Sequence, residues 1–272
     1  MNKFCLVFPV LLMSYAPVSD AYTTTTNTVA QAGYYSNDAG VIDTDTSQQI
    51  NGIAQTQSSA VNQGIEPIYH SPFSYSGSAN ASAAPGILKA SAAAKVITGL
   101  LSAKGEATAR FDDSFRLVGP TGGNIAVSLS YAISGSISGY AGASGWLSLN
   151  NFYTINFSQL YYRANPDFSC SGYASCTGTA TYLIPVNTDI SLSAFLSVGA
   201  GANGDIGVFN AFYKSGAANY GNTAKAFISV GDSRYQLVSN SGYGYSPVPL
   251  PASFWLLGSS LLIGWLRLRH TA

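Results

Sequence analysis

The sequence predicts an all-β protein: an antiparallel β-sandwich or jelly-roll-like body, preceded by a signal peptide and followed by a single transmembrane helix. Three observations carry that expectation. Two segments alternate between apolar residues on one side and mostly small residues on the other, many short apolar runs are separated by glycine-rich turn clusters, and both ends of the chain hold apolar stretches unlike the middle.

The alternation is plainest in NIAVSLSYAIS, where Ile125, Val127, Leu129, Tyr131 and Ile133 share one side and mostly Ser and Ala the other. DISLSAFLSV repeats it with Ile190, Leu192, Ala194, Leu196 and Val198. Successive side chains of an extended backbone point to opposite faces, so this period marks half-buried antiparallel strands. FYTINF, AKAFISV and RYQLVS are shorter strand candidates, and GPTGG, SGYAGASG, GANG and SGAANYGN read as turns between them. From Ala107 to Pro247, about 140 residues are enough for two packed sheets around a core. No repeat of fixed period is evident, which argues against a solenoid or propeller.

Taken in order, residues 1–21 read as a secretion signal. MNK is a short basic start, FCLVFPVLLMSYAPV is apolar, and Ser19 and Ala21 are the small residues a signal peptidase requires at the −3 and −1 positions. The mature chain then begins near Tyr22. Residues 22–80 are thick with Thr, Gln, Asn, Ser and Gly, bury little apolar area against their ordering entropy, and are expected to form a polar, partly ordered arm contributing at most an edge strand. GSANASAAPG reads as the junction to a β-sandwich domain over 81–247. In PGILKASAAAKVITGLLSAKG the residues fit either a helical stripe through Ile87, Leu88, Ala94, Ile97 and Leu101 or a strand with Leu88, Ala90, Ala92 and Ala94 on one face.

The 272 residues carry 12 basic and 12 acidic side chains, and only 9% are charged. No basic stripe exists to neutralise phosphates, so nucleic acid is excluded as a partner. Export leaves Cys170 and Cys176, in CSGYASC, facing an oxidising compartment. They are expected to close a small disulfide loop; two free thiols and a metal pair are the alternatives, the last lacking further ligands nearby.

Catalytic motifs are thin. His70, in the proline-flanked EPIYHSPFSY, is the only histidine before the terminal apolar run, and no G-x-S-x-G elbow surrounds any serine. Asp112 and Asp113 are adjacent, so in a strand they face opposite sides. The chain is read as a non-enzyme without a cofactor. GAGANG (Gly199–Gly204) matches a dinucleotide pattern, but the sequence after it lacks helical character, so it reads as a glycine turn between strands. DTDTSQQING fails as an EF-hand because Gln48 and Ala54 stand where Gly and Glu are needed; a looser oxygen site on Asp43 and Asp45 is the residual possibility. Tyr34, Tyr35, Tyr161, Tyr162, Tyr243 and Tyr245 lie in or beside turns and, with Trp146, read chiefly as sheet packing, with sugar stacking as the alternative.

The carboxyl end has three parts. Pro247, Pro249 and Pro251 favour an extended, unpaired backbone. Ala252–Leu266 is 15 residues of apolar sequence, 19 if counted from Val248, against the roughly 20 needed to span a bilayer core. Trp255 and Trp265 sit near its ends, and Arg267 and Arg269 open a basic tail over 267–272 that orients the body outward. Proline motif, apolar span and arginine cluster together resemble the PEP-CTERM sorting signal of exported bacterial proteins. Val248, Pro249, Leu250, Pro251 and Ala252 resemble its VPLPA variant, with Leu250 in place of the parent form's glutamate. GEATARFDDSFRLVGPTGG and ANYGNTAKAFISV…SGYGY also resemble segments of secreted proteins bearing this tail, in which GILKAS is usually a strand. The resemblance implies processing by signal peptidase and a membrane-embedded exosortase, transient inner-membrane anchoring, and delivery to the cell surface or an extracellular matrix. It implies a structural or adhesive role beside exopolysaccharide; a carbohydrate-binding module is the second expectation and a secreted hydrolase the third.

Overall fold

A computed structural model describes residues 21–34, 40–65, 72–98, 101–120, 123–150, 153–160, 163–165, 175–203 and 215–245. The strands are β1 (Thr23–Tyr34), β2 (Val41–Ile50), β3 (Ala54–Ile65), β4 (Pro72–Ala84), β5 (Ile87–Thr98), β6 (Ser102–Val118) and β7 (Asn124–Gly139). They continue as β8 (Ala141–Leu149), β9 (Tyr153–Leu160), β10 (Arg163–Asn165), β11 (Ser175–Pro185), β12 (Asp189–Asn203), β13 (Ser215–Val230) and β14 (Gln236–Ser239). Two antiparallel sheets form, in the orders β10-β9-β8-β12-β6-β1-β2 and β11-β7-β13-β5-β4-β3; β14 adds to the far half of β6. Their inner faces pack on one another in a sandwich-like arrangement around one shared core.

The predicted alternation from Ala107 onward is realised. Val127, Leu129, Tyr131 and Ile133 of β7 are buried, as are Ile190, Leu192, Ala194, Leu196 and Val198 of β12. The ambiguous 85–105 segment is the strand alternative: Leu88, Ala90, Ala92 and Ala94 all point inward on β5.

Residues 22–80 depart from the expected loose arm. The described residues among them form β1, β2, β3 and most of β4, and β1 lies inside the first sheet between β2 and β6. Nor is there a junction near residue 80, because β4 runs unbroken to Ala84 and the chain turns at Pro85 and Gly86, where φ is +70°. The physical reason is the size of the inward residues. Thr24, Thr26, Thr28, Ala30 and Ala32 of β1 face Ala54, Thr56, Ser58 and Ala60 of β3 and Gly77, Ala79 and Ala81 of β4. Some of the hydroxyls are carried inside by hydrogen bonds, Thr28 Oγ1 to Ser58 Oγ at 2.8 Å and Thr24 donating to the Gly52 carbonyl at 2.8 Å, whereas Thr26 and Thr56 are buried with their hydroxyls unpartnered. A thin core of this kind needs little apolar area, so composition under-reported it.

Core thickness is graded along β6. Its inward series reads Ala103, Gly105, Ala107, Ala109, then Phe111, Asp113, Phe115, Leu117. The neighbouring rows match in register: Ala202 and Ala32 flank Ala103, whereas Ala194 and Thr24 flank Phe111. At the small-residue end the two backbones meet directly. A Cβ added to Gly77 would stand 2.6 Å from the Gln31 carbonyl oxygen and closer still to that of Lys104. One added to Gly105 would stand 2.8 Å from the Ala93 carbonyl oxygen and nearer to that of Ser78. Facing sheets normally lie about 10 Å apart; here they taper together at one end.

Two expected turns are strand. GAGANG lies largely in β12, which extends to Asn203, and the Tyr140 ring covers the outward face of Gly201. SGAANYGN lies in β13, where pairing slips between Asn219 and Ala224 against β5, producing a bulge. In both places glycine serves close approach or irregular pairing, not reversal of the chain.

Candidate functional site

Strand geometry divides the adjacent carboxylates of β6 as the sequence implied. Asp112 faces outward, accepting a two-pronged bond from Arg110 (2.8 Å to each oxygen) and a hydroxyl from Ser193 at 2.6 Å. Asp113 faces the core, 7% exposed. Its Oδ1 accepts the backbone N–H groups of Ser114 at 2.8 Å and Ser241 at 3.2 Å, and its Oδ2 accepts the hydroxyls of Ser241 at 2.5 Å and Tyr245 at 2.6 Å. The buried carboxylate thereby holds the segment that follows β14.

Other contacts secure the same segment. The Asn240 N–H donates to the Ser114 carbonyl at 2.8 Å, the Asn240 amide meets the Ser114 hydroxyl, and Ile228 N–H donates to the Tyr245 carbonyl at 2.9 Å. Tyr243 packs edge-on against Tyr245 at 4.9 Å, and Tyr245 lies 6.3 Å from the Phe111 ring. Burial, reinforced by the Asp113 charge and hydrogen bond, pushes the Tyr245 phenol well above its ordinary range. Tyr245, expected to pack, is a fully buried anchor, and only Ser246 and Pro247 separate it from Val248 in the sequence.

Asp113→Ala leaves the Tyr245 hydroxyl and the Ser241 groups inside without their acceptor. It is expected to cost about 2–4 kcal/mol, and to expose residues 240–245 first. A thermal melt paired with hydrogen exchange checks this; unchanged protection of Tyr243 and Tyr245 amides would count against the clasp.

The other residues singled out in the sequence divide as follows. Ala21 is exposed immediately before β1. Cys176 lies in β11 with its backbone opposite Ile133. Ser19, His70, Tyr35, Tyr161, Tyr162, Cys170, Val248, Pro249, Leu250, Pro251, Ala252, Arg267 and Arg269 fall outside the described residues, as do the disulfide, the signal peptide proper and the terminal apolar span. Among the described residues, no helix is long and apolar enough to cross a membrane, and no three His, Cys, Asp or Glu side chains gather as a metal-holding group.

Asp43 and Asp45 have a different use from the one considered for them. They project from β2 onto the free edge of β3, where Asp43 accepts the Ser59 N–H at 2.8 Å and Asp45 the Gln57 N–H at 3.3 Å. Both strands end their sheets and carry exposed Val41, Ile42, Ile50, Val61 and Ile65. Carboxylates placed over unpaired edge amides block pairing with another chain. Beside them, β3, β4, β5 and the β13 bulge border a shallow groove of about 510 Å³, with Gln57, Asn80, Ser91 and Lys89 along its walls.

Comparison with known proteins adds no family. No family model and no curated protein matches the chain. Among solved structures, "Structure of infectious bursal disease virus Gx strain" aligns over 90% of this chain and 74% of that one, at 8% identity and a TM-score of 0.14. A likeness so low carries no argument about fold or activity.

Proposed function

We propose that the chain is an exported surface or extracellular-matrix protein of structural or adhesive character, delivered by an exosortase acting on its carboxyl-terminal signal. One observation carries the reading: the order Val248–Ala252, apolar run, Arg267 and Arg269 follows within three residues of the clasped Tyr245. Tyr245 fixes the chain to the body, and the proline motif begins three residues later in the sequence. The extended conformation favoured by Pro249 and Pro251 suits a protease cleft, and the arginines suit retention at the cytoplasmic side until cleavage. The sandwich-like body, with serine and threonine rows such as Ser128–Thr181 at 3.0 Å and Ser130–Thr179 at 2.9 Å on its outer face, suits a hydrated matrix.

Mass spectrometry of the mature protein tests this in cells with and without a working exosortase. Loss of the residues beyond the motif is expected only in the former, and Pro249→Ala with Pro251→Ala should retain the tail. A carboxyl terminus still at Ala272 in exosortase-bearing cells would overturn the reading.

A further inference from the structure

The outward face of the first sheet, over β8, β12 and β6, differs from the other outer surfaces. Inward positions on these strands fill the core, so outward ones need only be soluble. β12 accordingly presents Ser191, Ser193, Ser197, Gly199 and Gly201, and β8 presents Gly142 and Ser144. Against that background stand two paired aromatics. Trp146 and Phe195 are direct cross-strand partners, both half-buried, with ring centroids 5.9 Å apart and planes 22° from parallel. The Arg110 guanidinium lies 5.7 Å from the Trp146 ring, fixed there by its fork to Asp112.

Along β8 from Trp146, the floor drops. Ser144 pairs with Ser197 and Gly142 with Gly199, and a Cβ added at Gly199 would meet nothing nearer than the Glu106 side chain at 4.0 Å. Six residues from Trp146 on the same face is Tyr140, 47% exposed and lying over Gly201; at the strand rise this is about 20 Å away. β6 supplies one wall, where Lys104 pairs with Glu106 at 2.7 Å and Arg110 with Asp112 at 2.8 Å. Each cation is matched by a carboxylate, so the wall offers hydrogen bonds without net charge.

We infer that this trough binds a neutral oligosaccharide chain lying along β8 and β12, its ring faces on Trp146 and Tyr140 and its hydroxyls on the β6 wall. Sugar rings present apolar C–H faces with hydroxyl rims, which matches flat aromatics flanked by fixed donors and acceptors. The balanced wall disfavours a polyanion. A cross-strand aromatic pair serving only sheet stability would explain Trp146 and Phe195. It would not explain the row of Ser and Gly that runs from them to a second exposed aromatic. The inference is independent of the sorting reading, since binding is assayed on the purified chain whatever its processing.

The test uses the full-length chain on an array of neutral and acidic oligosaccharides, followed by affinity electrophoresis in the retained polysaccharide. At least one neutral glycan should be retained, and Trp146→Ala should weaken binding at least about tenfold, as expected of a central aromatic contact. Gly199→Leu is the decisive second variant: the space above Gly199 is open, so the melting temperature should hold while the filled floor costs at least about tenfold in affinity. Retention of no neutral glycan, or neutral binding that both variants leave intact, overturns the inference. Binding confined to acidic glycans also overturns it, and would direct attention to the groove at Lys89.

Discussion

Gly77→Ala is expected to destabilise the protein by at least about 3 kcal/mol, an unusual cost for one methyl group. At this chain length that corresponds to roughly 6–12 °C in melting temperature. The added carbon would sit 2.6 Å from the Gln31 carbonyl oxygen and nearer to that of Lys104. Both obstacles are backbone in the opposite sheet, so no side chain can rotate away. Relief requires the sheets to part along the row that holds Ala30, Ala79 and Ala94, all buried. Gly105→Ala should behave alike. Gly231→Ala is the control, because nothing lies within 4 Å of the added carbon there, and a change within about 0.5 kcal/mol is expected. A Gly77→Ala protein melting with wild type would mean that the sheets do not touch.

The second large effect is alkaline. Tyr131 and Tyr245 are buried, and desolvation holds both phenols well above the usual tyrosine range; Tyr220, 2% exposed, is pushed up to about 12 by the same cause. In the unfolded chain each ionises near pH 10. The folded values are raised, so the native state keeps protons that the unfolded state releases. The associated stability is intact below about pH 10 and declines as pH rises toward the folded values. Tyr131 and Tyr245 together contribute a loss of about 3 kcal/mol per pH unit, and Tyr220 adds to it. Against a typical total of about 5–15 kcal/mol, cooperative unfolding is expected by roughly pH 12, with tyrosinate absorbance and circular dichroism changing together. Tyr131→Phe should move that midpoint upward. Gradual ionisation of every tyrosine from pH 10 with the fold intact would contradict the burial of these rings.

The parts of the fold that were legible in the sequence are those where a large residue alternates with a small polar one. Val127 to Ile133 and Ile190 to Val198 announce their buried face because leucine and serine differ so much in hydropathy. In β1 the same alternation is written as Thr26, Thr28 and Ala30 against Thr25, Asn27 and Val29, which no hydropathy pattern separates. The buried face there is defined by size, and by a partner sheet that supplies Ser58 at the right height. Glycine was ambiguous for a related reason. Gly201 and Gly86 have the same letter, but one lies under Tyr140 in a strand while the other makes a turn at φ +70°. The opposed faces of Asp112 and Asp113 followed from strand geometry. What Asp113 would bind did not, because its partners lie 128 and 132 residues away. Trp146, read as packing, does pack, on Phe195, but on the outward face.

The clasp on Asp113 has a mechanical side. Any pull on the chain beyond Tyr245 is delivered through the phenol, Ser241 and Asn240 to β6. That strand is laced to β1 and β14 along one edge and to β12 along its other, so it has no free side from which to peel. Load entering there spreads as shear over many hydrogen bonds at once, whereas a terminal segment anchored on β2 or β3 would unzip them one at a time.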